Sequence, residues 1–271
     1  MIKLIASDLD GTLLQNGAQE LTPRAIELIR KLTDRGIHFV AASGRQYENE
    51  VHLFEPIKDR ISYIAENGSL CIHNGKVISR TVIDMDLIHR IIDEIKQDGR
   101  FEIVISKEHA CYIENSDSVF TDHIVNVLKN TTKIVEDVRK VDGPILKIAI
   151  GNMKDGPDVI EAYLKRLKNK FSSEIKVVTS GNIWIDFIAP GTNKGTALLK
   201  LLDVLKIKRE ECMAFGDQYN DVEMLQAVGT SYAMANAVRG ISDHSTYVTD
   251  SVEDVLEELL SFQNSKAPCL H

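Results

Sequence analysis

The sequence holds a single tryptophan, 6% aromatic residues and no apolar stretch long enough to span a bilayer, so a helical membrane protein is excluded. The apolar run at the amino terminus, Ile2 to Ala6, is too short for the core of a secretory signal, and a cytoplasmic protein is expected. Its four cysteines, Cys71, Cys111, Cys212 and Cys269, are scattered and form no CxxC pair, which argues for reduced, mostly buried thiols. Basic residues do not predominate either. Lysine and arginine number 32 against 40 acids, the net charge is −8, and the signs are mixed along the chain. No basic footprint for nucleic acid exists. Solenoid repeats and low-complexity segments are also missing. What remains is a chain of 271 residues, long enough to bury one large core or two modest ones.

The most informative residues are Asp8 and Asp10. They follow the strand-like run Ile2 to Ser7 and precede Gly11-Thr12-Leu13-Leu14. Residues two apart on extended backbone face the same way, and the carboxyl end of a strand is where open α/β sheets bind ligands. Two carboxylates on one side of a strand end repel unless a cation or a proton intervenes. The alternative is an ordinary Asp-Gly turn with Asp8 incidental.

The first third alternates strand and helix. Thr22-Pro23 starts a helix whose apolar face is Ala25, Ile26, Leu28, Ile29 and Leu32; Ile37 to Ala42 and Ile61 to Ala65 are strands. The alternation returns with a helix over Lys194 to Leu205, a strand over Glu211 to Phe215 and a helix over Tyr219 to Ala227. A strand over Thr230 to Ala233, a short helix near Val238 to Ser242, a strand at Tyr247-Val248 and a helix over Val252 to Phe262 follow. Such alternation predicts parallel βαβ units. Between the two blocks the pattern changes to paired strands and helices, as at Phe101 to Ser106 and Cys111 to Glu114 after a helix over Asp84 to Gln97. A helix over Val119 to Lys129, a strand over Leu146 to Ile150, a helix over Val159 to Phe171 and strands over Ile175 to Thr179 and Ile183 to Ile188 complete this part. The expected fold is therefore α/β, a doubly wound, Rossmann-like parallel-sheet core (residues 1–83 and 189–271) with an inserted antiparallel α+β domain (84–188). Val82 to Asp84 and Ala189 to Gly191 would be hinges. The tail from Gln263 to His271 shows no periodicity and is expected to fray.

Three further sites fall past strand ends or at helix starts. Ser43 and the Gly44 amide can hold an oxyanion at a helix N-terminus, or Ser43 can simply cap the helix. Lys194 stands at the start of a helix, where the dipole disfavours a cation; an anionic partner or a solvated lysine are the two readings. Asp217, Asn220 and Asp221 offer hard oxygen donors of the kind Mg²⁺ prefers, although an acidic N-cap would explain one of the two aspartates. Taken together, four acids in one crevice would carry a charge of about −4, which a divalent cation and Lys194 would largely offset. The site would then receive a phosphate despite the acidic protein around it.

The set Asp8-Leu9-Asp10-Gly11-Thr12-Leu13, Ser43-Gly44-Arg45, Lys194-Gly195 and Gly216-Asp217…Asn220-Asp221 resembles the four ordered motifs of the haloacid dehalogenase superfamily. The Glu66-Asn67-Gly68 turn and the insertion resemble its Cof-like phosphatase branch with a C2-type cap. The resemblance covers the chain except the tail. It departs at Gln218, where a small residue is commoner; this is expected to touch loop packing or substrate approach and not the metal. The resemblance implies a Mg²⁺-dependent phosphatase acting on a small phosphorylated metabolite, a sugar phosphate or a phosphorylated cofactor such as flavin mononucleotide or pyridoxal phosphate. It implies Asp8 as nucleophile and Asp10 as acid and base. Asp8, the Asp10 carbonyl, Asp217 and Asp221 would hold the metal, and Leu9, Ser43, Gly44, Lys194 and Asn220 would meet the phosphate or substrate. Arg45 could reach a substrate but is expected to pair with a surface acid, and Tyr112, His109 and Trp184 are candidate substrate contacts in the cap, with ordinary strand packing the favoured alternative for each. A phosphotransferase or phosphomutase on the same core, or a non-catalytic regulator, are the alternatives. No nucleic-acid or membrane partner is expected, and the chain should be a monomer or weak dimer.

Overall fold

A computed structural model describes residues 1–179 and 183–264. The expectation of a frayed tail falls largely on residues outside these, as does Cys269. The chain is α/β, and it builds two sheets. The first arises from β1 (Leu4–Ser7), α1 (Pro23–Asp34), β2 (His38–Ala42), α2 (Tyr47–Leu53), β3 (Ser62–Ala65), β4 (Leu70–His73) and β5 (Lys76–Arg80). The chain then forms α3 (Met85–Asp98), β6 (Glu102–Ser106), β7 (Cys111–Ile113), α4 (Val119–Asp122), β8 (Thr132–Ile134), β9 (Lys147–Gly151), α5 (Pro157–Phe171), β10 (Lys176–Thr179) and β11 (Trp184–Ile188). It returns to the first sheet through α6 (Lys194–Leu205), β12 (Cys212–Gly216), α7 (Val222–Gln226), β13 (Thr230–Met234), β14 (Tyr247–Thr249) and α8 (Val252–Asn264).

The eight-stranded sheet has the order β14-β13-β12-β1-β2-β3-β4-β5. Its strands from β14 to β3 are parallel, and β1 lies where the winding reverses, with β2 on one side and β12 on the other. That reversal opens a crevice at the carboxyl ends of β1 and β12, the place such sheets bind ligands. Alternate residues of the central strands supply two separate cores. Ile5, Phe39, Ala41, Met213 and Phe215 pack on the side of α1 and α8, whereas Leu4, Ala6, Val40, Ala42, Cys212 and Ala214 pack on the side of α6 and α7. Burial on both faces explains why these strands read as continuous apolar runs. Thr22 caps α1 through its hydroxyl, which accepts from the Ala25 amide at 2.9 Å.

The six-stranded sheet has the order β10-β11-β9-β6-β7-β8. One face carries α3 and α5 over a core that includes Ile91, Ile95, Ile148, Leu167 and Phe187. Its other face presents Val104 and Ser106 of β6, Lys147 and Ala149 of β9, and Trp184 and Asp186 of β11 to the carboxyl end of the parallel sheet. These are i, i+2 positions, so one pleated face lines the crevice.

Several elements differ from expectation. The hairpin of β4 and β5 extends the parallel sheet with antiparallel strands; its Asn74-Gly75 turn was a readable signal. Strand β8 pairs parallel to β7, so the second sheet is not wholly antiparallel. The helix expected over Val119 to Lys129 keeps α geometry only to Asp122 and continues as a π turn over His123–Val127. Helix α7 begins only at Val222, because Tyr219–Asp221 forms a 3₁₀ turn. The short helix near Val238 is a 3₁₀ turn over Ile241–His244.

Candidate active site

Pairing of β1 with β12 brings the two acidic motifs together: Ser7 stands beside Phe215, and the Asp8 amide donates to the Phe215 carbonyl at 3.0 Å. Asp8 and Asp217 thus emerge side by side from adjacent parallel strands. Gly11 turns the chain back with φ +89, and a Cβ there would stand 2.3 Å from the Asp217 carboxylate. Only glycine fits. Thr12, buried under this turn, donates to Asp217 Oδ1 at 2.9 Å.

Lys194 is fully buried and spans the two acidic motifs. Its Nζ lies 2.5 Å from Asp8 Oδ1 and 2.6 Å from Asp221 Oδ1, which removes the reading of a solvated lysine. Asn193 and Thr196 form a reciprocal capping box that fixes the start of α6 and aims Lys194 inward. Asp221 Oδ2 accepts from the amides of Asp217 and Gln218, both at 3.0 Å, so this acid ties its own loop while meeting Lys194. Gln218 Nε2 reaches Asp217 Oδ2 at 3.3 Å. That contact corrects the expectation that Gln218 stays clear of the candidate metal ligands.

Asp8, Asp217 and Asp221 offer ligand oxygens that all lie within 4.8 Å of one another. Burial, then the charge of Asp221, pushes both the Asp8 and the Asp217 carboxyl up. Burial works to lower Lys194, but the Asp221 and Asp8 carboxylates outweigh it and hold the ammonium above its usual range. With all three carboxyls ionised, one ammonium leaves two negative charges, and the upward push on Asp8 and Asp217 reflects that excess. A divalent cation with hard oxygen preference fits that donor set.

Asp10 is brought near but turns elsewhere. Its half-exposed carboxylate lies on the 9–14 turn and receives Arg45 through both oxygens, Nε to Oδ2 at 2.7 Å and an Nη to Oδ1 at 2.6 Å. Arg45 therefore pairs with an exposed acid, as expected, and that acid is Asp10 of the crevice. The Arg45 side chain is only 10% exposed, so the pair is held from the protein side.

Ser43 and Gly44 line the crevice, but the helix begins three residues later at Tyr47. They lie in the approach loop and not in the first turn of α2, and Ser43 Oγ accepts from the Arg45 amide at 3.1 Å instead of capping the helix. The Leu9 side chain is buried in the apolar core, so only its main chain belongs to the site. Asn220 donates to Asn67 Oδ1, and Asn67 Nδ2 donates to Asp186 Oδ2 of β11, each at 3.0 Å. Tyr112 and His109 stand away from the crevice. Tyr112 lies between the ammonium groups of Lys107 and Lys133, and His109 pairs with Glu48 and Glu108. Trp184 does line the cavity, packed on Phe120 at 5.0 Å.

A cluster that sequence reasoning missed closes the crevice from above. Lys147 of β9, buried, donates to the Gly44 carbonyl at 2.7 Å and pairs with Glu66 at 2.7 Å. Burial raises Glu66, with Lys147 opposing it. Gly44 lies 103 residues from Lys147 and Glu66 lies 81 away, so no local pattern announces them. The cavity enclosed between the two sheets measures about 460 Å³, within the range of small-molecule sites.

This arrangement can be set against known proteins. The family model of haloacid dehalogenase-like hydrolases matches residues 5–259. The chain is 27% identical over 267 residues to a 5-amino-6-(5-phospho-D-ribitylamino)uracil phosphatase of Escherichia coli, covering 97% of each chain. It is 29% identical over 256 residues to a Bacillus subtilis phosphatase named for the same compound, covering 93% of this chain and 92% of that one. A crystal structure of a Streptococcus mutans protein superposes with a TM-score of 0.85 at 26% identity, over 96% of this chain and 100% of the other. A haloacid dehalogenase-like hydrolase of Bacteroides thetaiotaomicron shares the fold at a TM-score of 0.85 and 23% identity, over 96% and 100% of the two chains. With two acidic motifs meeting at a buried lysine and the family pattern running through nearly the whole chain, the protein belongs to the haloacid dehalogenase-like hydrolases and is an enzyme of the phosphatase kind.

Proposed function

We propose that the chain is a Mg²⁺-dependent phosphatase that hydrolyses small phosphomonoesters through an aspartyl-phosphate on Asp8. The observation that carries this reading is Lys194, wholly buried and bonded to both Asp8 and Asp221. A binding protein has no need to spend a buried ammonium on orienting a carboxylate that lines a cavity. Asp8, Asp217, Asp221 and the Asp10 carbonyl would hold the cation, which supplies charge neutralisation of the phosphoryl group.

In the first step an Asp8 oxygen forms a bond to phosphorus while the bond to the ester oxygen breaks, and Asp10 gives its proton to the departing alkoxide. In the second, Asp10 takes a proton from water as the water oxygen bonds to phosphorus and the Asp8 acyl phosphate breaks. Phosphate leaves and both aspartates return to their starting states. Lys194 fixes the Asp8 rotamer and offsets charge on the phosphoryl oxygens, which Ser43, Gly44 and the main chain at Leu9 would meet. Asn220 would act through Asn67. Residues 84–188 would serve as a cap that shields the site and selects the leaving group. The relatives' named substrate, a phosphorylated polyol chain on a uracil ring, is a first candidate here: the cavity combines the Trp184 ring with polar groups from Ser106, Asn130 and Asp186.

A phosphate-release screen over phosphomonoesters tests the reading. Turnover is expected with Mg²⁺, lost in EDTA and restored by added Mg²⁺. Asp8→Asn should lower it by about a thousandfold or more, and the wild-type Asp8 peptide should carry a trapped phosphoryl group after a rapid quench. Residual Asp8→Asn activity above about a tenth of wild type would remove Asp8 as nucleophile.

A further inference from the structure

Among the described residues that line the cavity, the basic side chains are Arg45, Lys147 and His123. Each is already engaged or neutral. The Arg45 guanidinium meets both Asp10 oxygens and Asn49 Oδ1. The Lys147 ammonium donates to the Gly44 carbonyl at 2.7 Å, lies 2.7 Å from Glu66 Oε2 and has Asp186 Oδ2 at 3.8 Å, so protein oxygens surround its three N–H groups. Burial lowers His123, with Asp122 opposing, which keeps the imidazole neutral near pH 7. The acids of the upper wall outnumber its cation. Glu66 and Asp186 are each 1% exposed, and Asn67 Nδ2 fixes Asp186 by donating to its Oδ2 at 3.0 Å. Burial works to lower Lys147, but Asp186 and Glu66 outweigh it and hold the ammonium charged. With both acids ionised, one ammonium against two carboxylates leaves this wall with one negative charge. The Arg45 and Asp10 charges cancel beside it. Charges buried under an enclosed cavity act at a dielectric far below that of water, and salt screens them little.

We propose that Glu66, Lys147 and Asp186 form a charge filter for the leaving group: the site takes monophosphates whose remainder is hydroxyl-rich and uncharged, and turns away those bearing a second phosphate or a carboxylate. A second anion would enter against the negative excess of the wall. It could pair with Lys147 or Arg45 only by displacing Glu66, Asp186 or Asp10, and a displaced buried carboxylate is left uncompensated. A hydroxyl meets no such penalty, because Ser106 and Asn130 line the same cavity as neutral polar partners. The filter works through the field of buried groups and not through contact, since Glu66 and Asp186 lie just beneath the lining. The phosphate that is cleaved would lie away from this wall, at Asp8. The inference rests on the reading of this cavity as a phosphatase site and narrows its substrate class.

The test compares kcat/KM, with Mg²⁺ present, for two open-chain esters that differ only at the far end. Sorbitol 6-phosphate ends in a hydroxymethyl group and 6-phosphogluconate in a carboxylate; p-nitrophenyl phosphate serves as the control. The wild type should favour the sorbitol ester by about tenfold or more, the scale of one unit charge acting across several ångströms of protein. Asp186→Asn removes the excess charge and should bring the two esters within about threefold of each other. Because the readout is a ratio, a general loss of activity in the variant cancels. Should Asp186→Asn fail to fold, Glu66→Gln removes the same charge and decides in the same way. Equal rates for the two esters in the wild type, or a faster gluconate ester, would overturn the filter while the phosphatase reading stands. A preference for the sorbitol ester that survives the substitution unchanged would place its origin in shape, and the filter falls. Turnover of p-nitrophenyl phosphate but of neither six-carbon ester would refute the hydroxyl-rich class. If none of the three esters releases phosphate, the phosphatase reading fails and the filter with it.

Discussion

Glu50, on the inward face of α2, has no exposed surface, and neither of its carboxylate oxygens has a hydrogen-bond partner in the structure. Burial pushes its carboxyl well above the ordinary value of 4.5, and Lys194 only partly offsets this. The folded protein then holds a proton on Glu50 that the unfolded chain has released. Between 4.5 and the higher folded value the native state binds more protons, so stability falls as pH rises through that window. Glu50→Leu should therefore stabilise the protein by about 1–3 kcal/mol at mildly alkaline pH, the usual cost of an unsatisfied buried polar group. Below the ordinary glutamate range the gain should shrink. Urea unfolding of both proteins at the two pH values measures it; a gain that is equal at both would place its origin in packing and not in the proton. At this scale the legible residues were those whose chemistry is unusual where they stand: paired aspartates after an apolar run, or a lysine in the first turn of a helix. Glu50, Lys147 and Asp186 were not legible. An acid or lysine within a periodic helix or strand reads as a solvated face, and only the tertiary partner reveals otherwise.

The turn after β3 is the element on which the site hangs. Glu66, Asn67 and Gly68 have φ of 51, 56 and 97 in succession, a left-handed run that costs free energy at the two residues with side chains. Its hydrogen bonds hold it: the Glu66 amide donates to the Arg45 carbonyl at 2.9 Å and the Asn67 amide to the Ser43 carbonyl at 3.0 Å. Gly68 lets the turn lie against the start of α6, since a Cβ there would stand 2.2 Å from the Asn193 carbonyl oxygen. Gly68→Ala should push α6 back, displace Lys194 and cost about 1–3 kcal/mol, as overpacking against backbone does. Its melting temperature and turnover should fall together, and a variant as stable and active as wild type would show that α6 is not held here. The boundaries of α6 were readable because Asn193 and Thr196 cap it locally. The Asn74-Gly75 turn is an equally local signal, but the hairpin it closes interrupts the βαβ alternation that dominates this part of the sequence. The π turn over His123–Val127 has no periodic signature and could not be read.

At the scale of the whole molecule, two sheets meet across one cavity, and the face each presents was set by a strand pleat. The switch from alternating to paired elements made the second sheet legible. Which residues of the insertion look inward was not, because Tyr112 and Trp184 both sit on short strands of similar pattern. In the structure Trp184 of β11 lines the cavity with Ala149 and Asp186, whereas Tyr112 of β7 is held on the outer side between Lys107 and Lys133. The two aromatic residues thus form an internal comparison. Trp184→Ala removes a flat apolar wall from the cavity in which a leaving group would lie. If the cap selects substrate, this change should alter the ranking of phosphomonoesters, with kcat/KM for a ring-bearing ester falling about ten- to a hundredfold. Glycerol 1-phosphate, too small to reach the wall, should lose much less. Tyr112→Ala should leave the ranking as it is, whatever it does to stability, because its ring faces solvent-side lysines. Measuring the same ester panel on all three proteins gives the answer in one experiment. If Trp184→Ala slows every ester equally, the ring supports the fold of the insertion through Phe120, and specificity resides elsewhere on the pleated face.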